Sequence, residues 1–301
     1  MSQHLKAAIT LVATIFIAAL VTVLAKVSLE RVSAFSFNWL QILVAMVFLT
    51  GYTFLWRKES LPTHLTRAQW LYILAIGFCN FTMVRFLFLA GLELLPVTTH
   101  AYLVNFVGLV TMFLSIFLLN ERPYLIQFLG ALIALSGLTV YFDSIPTPER
   151  ISGIIFVALG VFFLALTNNL IRRFMVHHKS SVSSVMLSTL AIWIGGLPLV
   201  AIGILTEGSE LTIGLNDALI ILANGVFSLA LTLIVFNHVM KVLRSYEASL
   251  LASTGVIFVA LLAIPINHEI LSQHQVIGIS ILFIGIILTQ FKIPFLSIFR
   301  R

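Results

Sequence analysis

Arg85 is the side chain in this sequence best suited to hold a small charged molecule. It stands in an apolar stretch with Phe78, Phe81 and Phe88, at spacings that put all four on one helical face, about five residues from the outer end of the helix. A guanidinium so placed either meets a carboxylate or phosphate through paired hydrogen bonds, or snorkels to the headgroups or pairs with a carboxylate such as Glu93. In the next apolar stretch Thr98, Tyr102, Asn105, Leu109 and Met112 share a face. An aromatic ring beside an amide suits a site that buries an apolar body and fixes one polar group; the alternative is a hydrogen bond from Asn105 to a neighbouring helix. Asn38 and Gln41 extend a polar wall at the depth of Arg85, Trp193 falls mid-span where it can wall a cavity, and Asn224, Phe227 and Ser228 are the candidates of the second half. The chemistry of this set is recognition, with no catalytic residue in it.

Absences narrow the mechanism. Glu93, Glu121, Glu247 and Glu269 all fall at the ends of apolar stretches, so a carboxylate proton relay has no seat at depth. Uniport or exchange is therefore expected over proton symport. No phosphate-cradling glycine loop, metal-ligand spacing or nucleophile elbow occurs, so neither a cofactor nor a metal is expected. The single cysteine, Cys79, excludes an internal disulfide.

The elements that carry these residues are membrane spans. With 60% hydrophobic and 9% charged residues, the chain lies far outside the soluble range. Its 301 residues accommodate about ten spans of about 20 residues, which excludes an enzyme built on an aqueous domain. Spans are expected near 7–25, 35–55, 70–90, 96–118, 124–142, 151–171, 182–205, 216–237, 246–266 and 275–292. The first has a weak signal-peptide look and is read as a retained helix. With the N-terminus in the cytoplasm, 13 of the 17 Lys and Arg residues fall on that side. The positive-inside rule thus sets the orientation, both termini cytoplasmic in an inner (plasma) membrane, and accounts for the net charge of +6 without nucleic acid.

The chain is also written twice. Glu121, Gln127, Gly130, Ile133 and Gly137 recur 148 positions later as Glu269, Gln275, Gly278, Ile281 and Gly285. Two repeats are expected, residues 1–147 and 148–301, forming one integrated transport domain. Five spans per copy is an odd number, so the copies are inverted. Inverted repeats with a site near the midplane are the recurring plan of secondary transporters, in which exchanging the conformations of the halves moves access across the membrane. Each repeated glutamate is expected to cap the helix that follows it.

The tract from Ala90 to Phe142, with Glu121, Gln127, Gly130 and Gly137, resembles the EamA-like branch of the drug/metabolite transporter superfamily, and Ala248 to Gln290 repeats the pattern. The resemblance implies an all-α polytopic membrane protein of ten transmembrane helices in two inverted five-helix repeats, a central cavity, and a small organic solute as partner. Members commonly carry a proline in the fourth and ninth helices. Here those positions read Val107-Gly108 and Gly255-Val256. An amino-acid-like solute whose carboxylate meets Arg85 is the leading expectation; a cationic amine or nucleoside-like solute, or a lipid head group, is the alternative. The partners expected are that solute and the lipid bilayer, and the sequence sets no oligomeric state.

Overall fold

The structure, a computed structural model, describes residues 2–143, 151–177, 182–208, 211–267 and 270–291. Among them there is no strand, and ten helices are long and apolar enough to cross a bilayer. They are α1 (Gln3–Leu29), α2 (Ala34–Trp56), α3 (Arg67–Leu94), α4 (Val97–Leu118), α5 (Leu125–Phe142), α6 (Ile151–His177), α7 (Ser184–Thr206), α8 (Leu215–Val239), α9 (Ser245–Ile266) and α10 (Gln273–Gln290). Each coincides with an expected span, most with extended ends. The change that bears on the candidate site is in α3, which runs to Leu94 and so leaves Arg85 nine residues from its end.

The first N–H groups of a helix have no partner within it, and here side chains supply several of them. Ser33 accepts the Ser36 N–H at 2.9 Å, and Ser183 accepts that of Met186 at 2.9 Å. At the start of α3, Thr66 and Gln69 form a reciprocal capping box, and Ser272 and Gln275 do the same for α10. At α5 the Tyr124 N–H goes to Gln127 Oε1 at 3.1 Å. Gln127 thus takes part in closing the start of α5. Asn120, in the left-handed region at φ 52°, turns the chain just before Glu121, whose side chain receives Ser245 Oγ at 3.4 Å. Glu269 lies outside the described residues.

Several helices depart from regular α geometry. Wide π-type turns occupy Phe78–Met83 in α3 and Asn224–Leu231 in α8. In α4 the helix is broken at Asn105 and Phe106, where N–H groups bond the carbonyls of Tyr102 and Leu103 three residues back. In α9 it is broken at Ser253, whose N–H bonds Leu250 O. A shift of 148 places 78–83 within the α8 turn and Asn105 on Ser253. The irregularities recur in register, although neither break has a proline.

The chain forms two compact units, Met1–Met83 with Leu170–Val242, and Val84–Asn169 with Leu243–Arg301. Each draws helices from both sequence copies. In the first unit α3 meets α7 backbone to backbone. A Cβ on Gly77 would lie 2.6 Å from Ala191 O, and one on Gly195 would overlap the Gly77 carbonyl. Small residues permit that approach, and Thr82 Oγ1 donates to Gly195 O at 2.8 Å across it.

In the second unit α5 and α10 form the tightest seam. A Cβ on Gly130 would lie 2.8 Å from Gly285 O, and one on Gly137 would lie 2.8 Å from Gly278 O. In the 148-residue frame Gly278 is the counterpart of Gly130, and Gly285 of Gly137. Each glycine thus touches the counterpart of the other, as two antiparallel copies related by a local two-fold must. Beside the seam, Met112, Ala131, Tyr246 and Leu250 form a buried cluster.

Candidate functional site

The residues expected to bind solute divide between the two units. In the first, the Asn224 amide, buried at the start of the α8 wide turn, donates to Val21 O at 2.9 Å and to Ile220 O at 3.1 Å. It braces α1 against α8. Its backbone carbonyl faces Gln41 Nε2 at 3.5 Å, the outer limit of a hydrogen bond, so these two candidates are brought together. Phe227 and Ser228 follow on the same turn, with Phe227 exposed and Ser228 half-buried. Asn38 is half-buried on α2. Trp193 is exposed on α7 and donates its indole N–H to Thr50 Oγ1 at 2.8 Å. Phe81 is fully buried in the packing of α3.

In the second unit Arg85 is the second residue of the α-helical part of α3 that follows the wide turn, and is half-buried. Nine residues of about 1.5 Å rise put it about 13 Å from the helix end. Glu93 is exposed, eight residues further along. Phe88, on the Arg85 face, packs edge-on against His100 at 5.5 Å, and the imidazole bonds Phe88 O at 3.0 Å. Tyr102 is buried, with its ring edge-on to Phe106 at 5.3 Å. Its hydroxyl meets Thr139 Oγ1 at 3.1 Å, and since Thr139 gives its one proton to Leu135 O, Tyr102 is the donor. Asn105 donates Nδ2 to Ala101 O of its own helix at 2.8 Å rather than to a neighbouring span. Its amide therefore sits at the α4 break, on a partly open face.

A dense polar assembly that no local sequence pattern announces lies at the end of the second unit, where α4 stops and α5 and α9 start. Arg244 Nη1 donates to the Tyr246 hydroxyl at 2.6 Å, which donates to Gln127 Oε1 at 2.7 Å. Gln127 Nε2 donates to Glu247 Oε1 at 3.1 Å and to Thr289 O at 3.0 Å, and Glu247 Oε2 accepts the Arg244 backbone N–H at 3.0 Å. The bonds close a ring, and all four positions of the Gln127 amide are used.

Next to the ring, Ser245 Oγ lies 2.9 Å from Asn169 Oδ1, and Asn169 Nδ2 reaches Thr111 O at 3.2 Å. Asn168 donates to Ser249 Oγ at 2.9 Å. Glu247 and Gln127 are both wholly buried, so each bond replaces one that water no longer supplies. At Arg244 burial opposes the charged form, but the Tyr246 hydroxyl and the carboxylates of Glu247 and Glu121 outweigh it and raise the pKa. The guanidinium stays cationic throughout the physiological range. The sequence signal for this assembly was a glutamate three residues into α9 beside the repeated Gln127.

The first unit holds a second repeated pair of glutamates. Glu59 and Glu207 are 148 residues apart. Ser183 Oγ donates to Glu59 at 2.6 Å, and Ser33 and Ser36 donate to Glu207. Among the described residues no cluster of three metal-ligating side chains occurs.

The sequence profile of the EamA-like transporter family matches residues 5–142 and, separately, 151–291. One solved crystal structure, described simply as "Crystal structure of protein", superposes with a TM-score of 0.78 over 94% of this chain and 96% of its own, at 19% identity, a likeness of fold alone. Among proteins of curated function none matches. Two successive profile matches over nearly the whole chain, each carrying five spanning helices, show that it belongs to the EamA-like transporter family, as a multi-pass membrane transporter of the drug/metabolite type.

Proposed function

We propose that the protein is a carrier, not an enzyme, and moves a small organic, amino-acid-like solute across the plasma membrane by alternating access, as a uniporter or exchanger. The two repeats, 1–147 and 148–301, act as one transport domain, with both termini cytoplasmic. The observation that carries the reading is Arg85, a half-buried guanidinium about 13 Å inside a spanning helix, directly after a wide turn. A cation held at that depth is costly unless it serves a ligand or a partner, and a carboxylate is the group it matches best. Asn105, with its amide at the α4 break, is the second polar contact, and Gln41, Asn38, Phe227 and Ser228 supply weaker ones. Phe81, Tyr102 and Asn224 contribute by shaping and bracing, since packing or hydrogen bonds already hold them. Trp193 contributes the exposed part of its ring.

Uptake and counterflow in proteoliposomes, screened over amino acids, amines, nucleosides and sugars, test the proposal. Arg85→Ala is expected to weaken carboxylate-bearing solutes about ten- to a hundredfold, the worth of one charge-assisted hydrogen-bonded contact. Transport of amines or nucleosides alone, unchanged in Arg85→Ala, would overturn it in favour of a cationic or nucleoside-like solute.

A further inference from the structure

A cavity of about 280 Å³ opens on the second unit between α4 and α5, lined by Leu109, Val110, Met112, Phe113, Ile116 and Phe128. Every lining side chain is apolar, so the cavity offers a solute no orienting hydrogen bond. Phe113 is 61% exposed, and Phe117, one turn on, is 67% exposed. The residues from Leu109 to Ile116 are two to nine positions inside the end of α4, and Phe128 is three positions inside α5. At about 1.5 Å per residue this depth belongs to the acyl region of one leaflet.

Two arginines lie where α4 ends and α5 begins. Arg122, in the turn between α4 and α5, is exposed, and its carbonyl accepts Arg244 Nη1 at 2.8 Å. The Arg244 guanidinium lies 5.5 Å from the centre of the Tyr124 ring and bonds Tyr246, which packs with Met112 and Leu109 of the groove floor. A basic mouth over an apolar groove between helices is the pattern that fits a lipid with an anionic head. We propose that this groove is a binding site for the acyl chain of an anionic phospholipid whose phosphate meets Arg122 and Arg244. Such a site is independent of the transported solute.

Brominated acyl chains quench tryptophan on contact. The full chain carrying Phe113→Trp, reconstituted with brominated phosphatidylglycerol or brominated phosphatidylcholine, reports the occupant once the signal of the four native tryptophans, measured in the unsubstituted chain, is subtracted. The expected result is strong added quenching, with about fivefold enrichment of the anionic lipid at the introduced indole. Adding Arg122→Gln, an exposed change, is expected to bring the two lipids close to parity. Equal quenching by both lipids without the arginine change would mean ordinary bilayer contact and would overturn the proposal. Absence of added quenching would mean that a second copy of the chain or another occupant covers the groove, and would overturn it too.

Discussion

Ser183 Oγ gives its proton to Glu59 at 2.6 Å while accepting the Met186 N–H at 2.9 Å, so one hydroxyl caps α7 and ties it to the chain that follows α2. The same arrangement recurs in the other copy, where Ser33 caps α2 and donates to Glu207, the residue that follows α7. Each glutamate closes one helix and holds the cap of its counterpart. Ser183→Ala is expected to cost about 1 to 2 kcal/mol, and Glu59→Gln less, because an amide still accepts the hydroxyl. Thermal unfolding in detergent measures both.

The glycine seam in the second unit should tolerate no large side chain. Gly137→Leu or Gly278→Leu forces α5 and α10 apart and is expected to destabilise by about 1 to 3 kcal/mol or more, as overpacking does. Gly51 is the control, because a Cβ there meets nothing within 4 Å. Comparing the melting temperature of each variant with that of Gly51→Ala separates loss of close approach from loss of glycine.

Glu247 is wholly buried and completes the ring through Gln127 and the Arg244 N–H. Replacing it by leucine strands the Gln127 amide and leaves Arg244 short of a counter-charge, an expected loss of about 3 to 5 kcal/mol. Glu247→Gln keeps the shape and is expected to cost about 1 to 2 kcal/mol. If the two variants melt alike, the ring contributes volume rather than hydrogen bonds.

Asn224 and Phe227 separate bracing from binding on one turn. Asn224→Ala removes two bonds to backbone carbonyls and is expected to lower stability by about 1 to 2 kcal/mol. Phe227→Ala, at an exposed ring, is expected to leave the melting temperature nearly unchanged and to raise the solute KM. A fall in melting temperature for Phe227→Ala would place its ring in the packing instead.

The spans were legible because twenty apolar residues in a row permit few other readings, and the duplication because Glu121, Gln127 and two glycines keep their spacing. The depth of Arg85 was harder to read. The segment from Gly91 to Leu94 carries a charged Glu93, which looks like a span end, yet the helix continues through it. Glu59 and Glu207 were invisible for a different reason: each lies in a short polar connection where a glutamate is unremarkable until its partner across the unit is known. The ring around Gln127 is built from residues up to 162 positions apart, so no local pattern could announce it. Asn105 stands out in the sequence for its polarity, but no local pattern marks it or Ser253 as a place where α4 or α9 breaks.

Those two breaks differ in kind from a proline kink. Proline has no N–H to give, so a bend built on it is permanent. Asn105, Phe106 and Ser253 keep their donors and spend them on carbonyls three residues back. The same donors can return to the carbonyl four back, one peptide group at a time, without leaving any of them bare in hydrocarbon. Straightening α4 or α9 at such a joint would therefore bare no peptide group, which a joint built on proline does not allow.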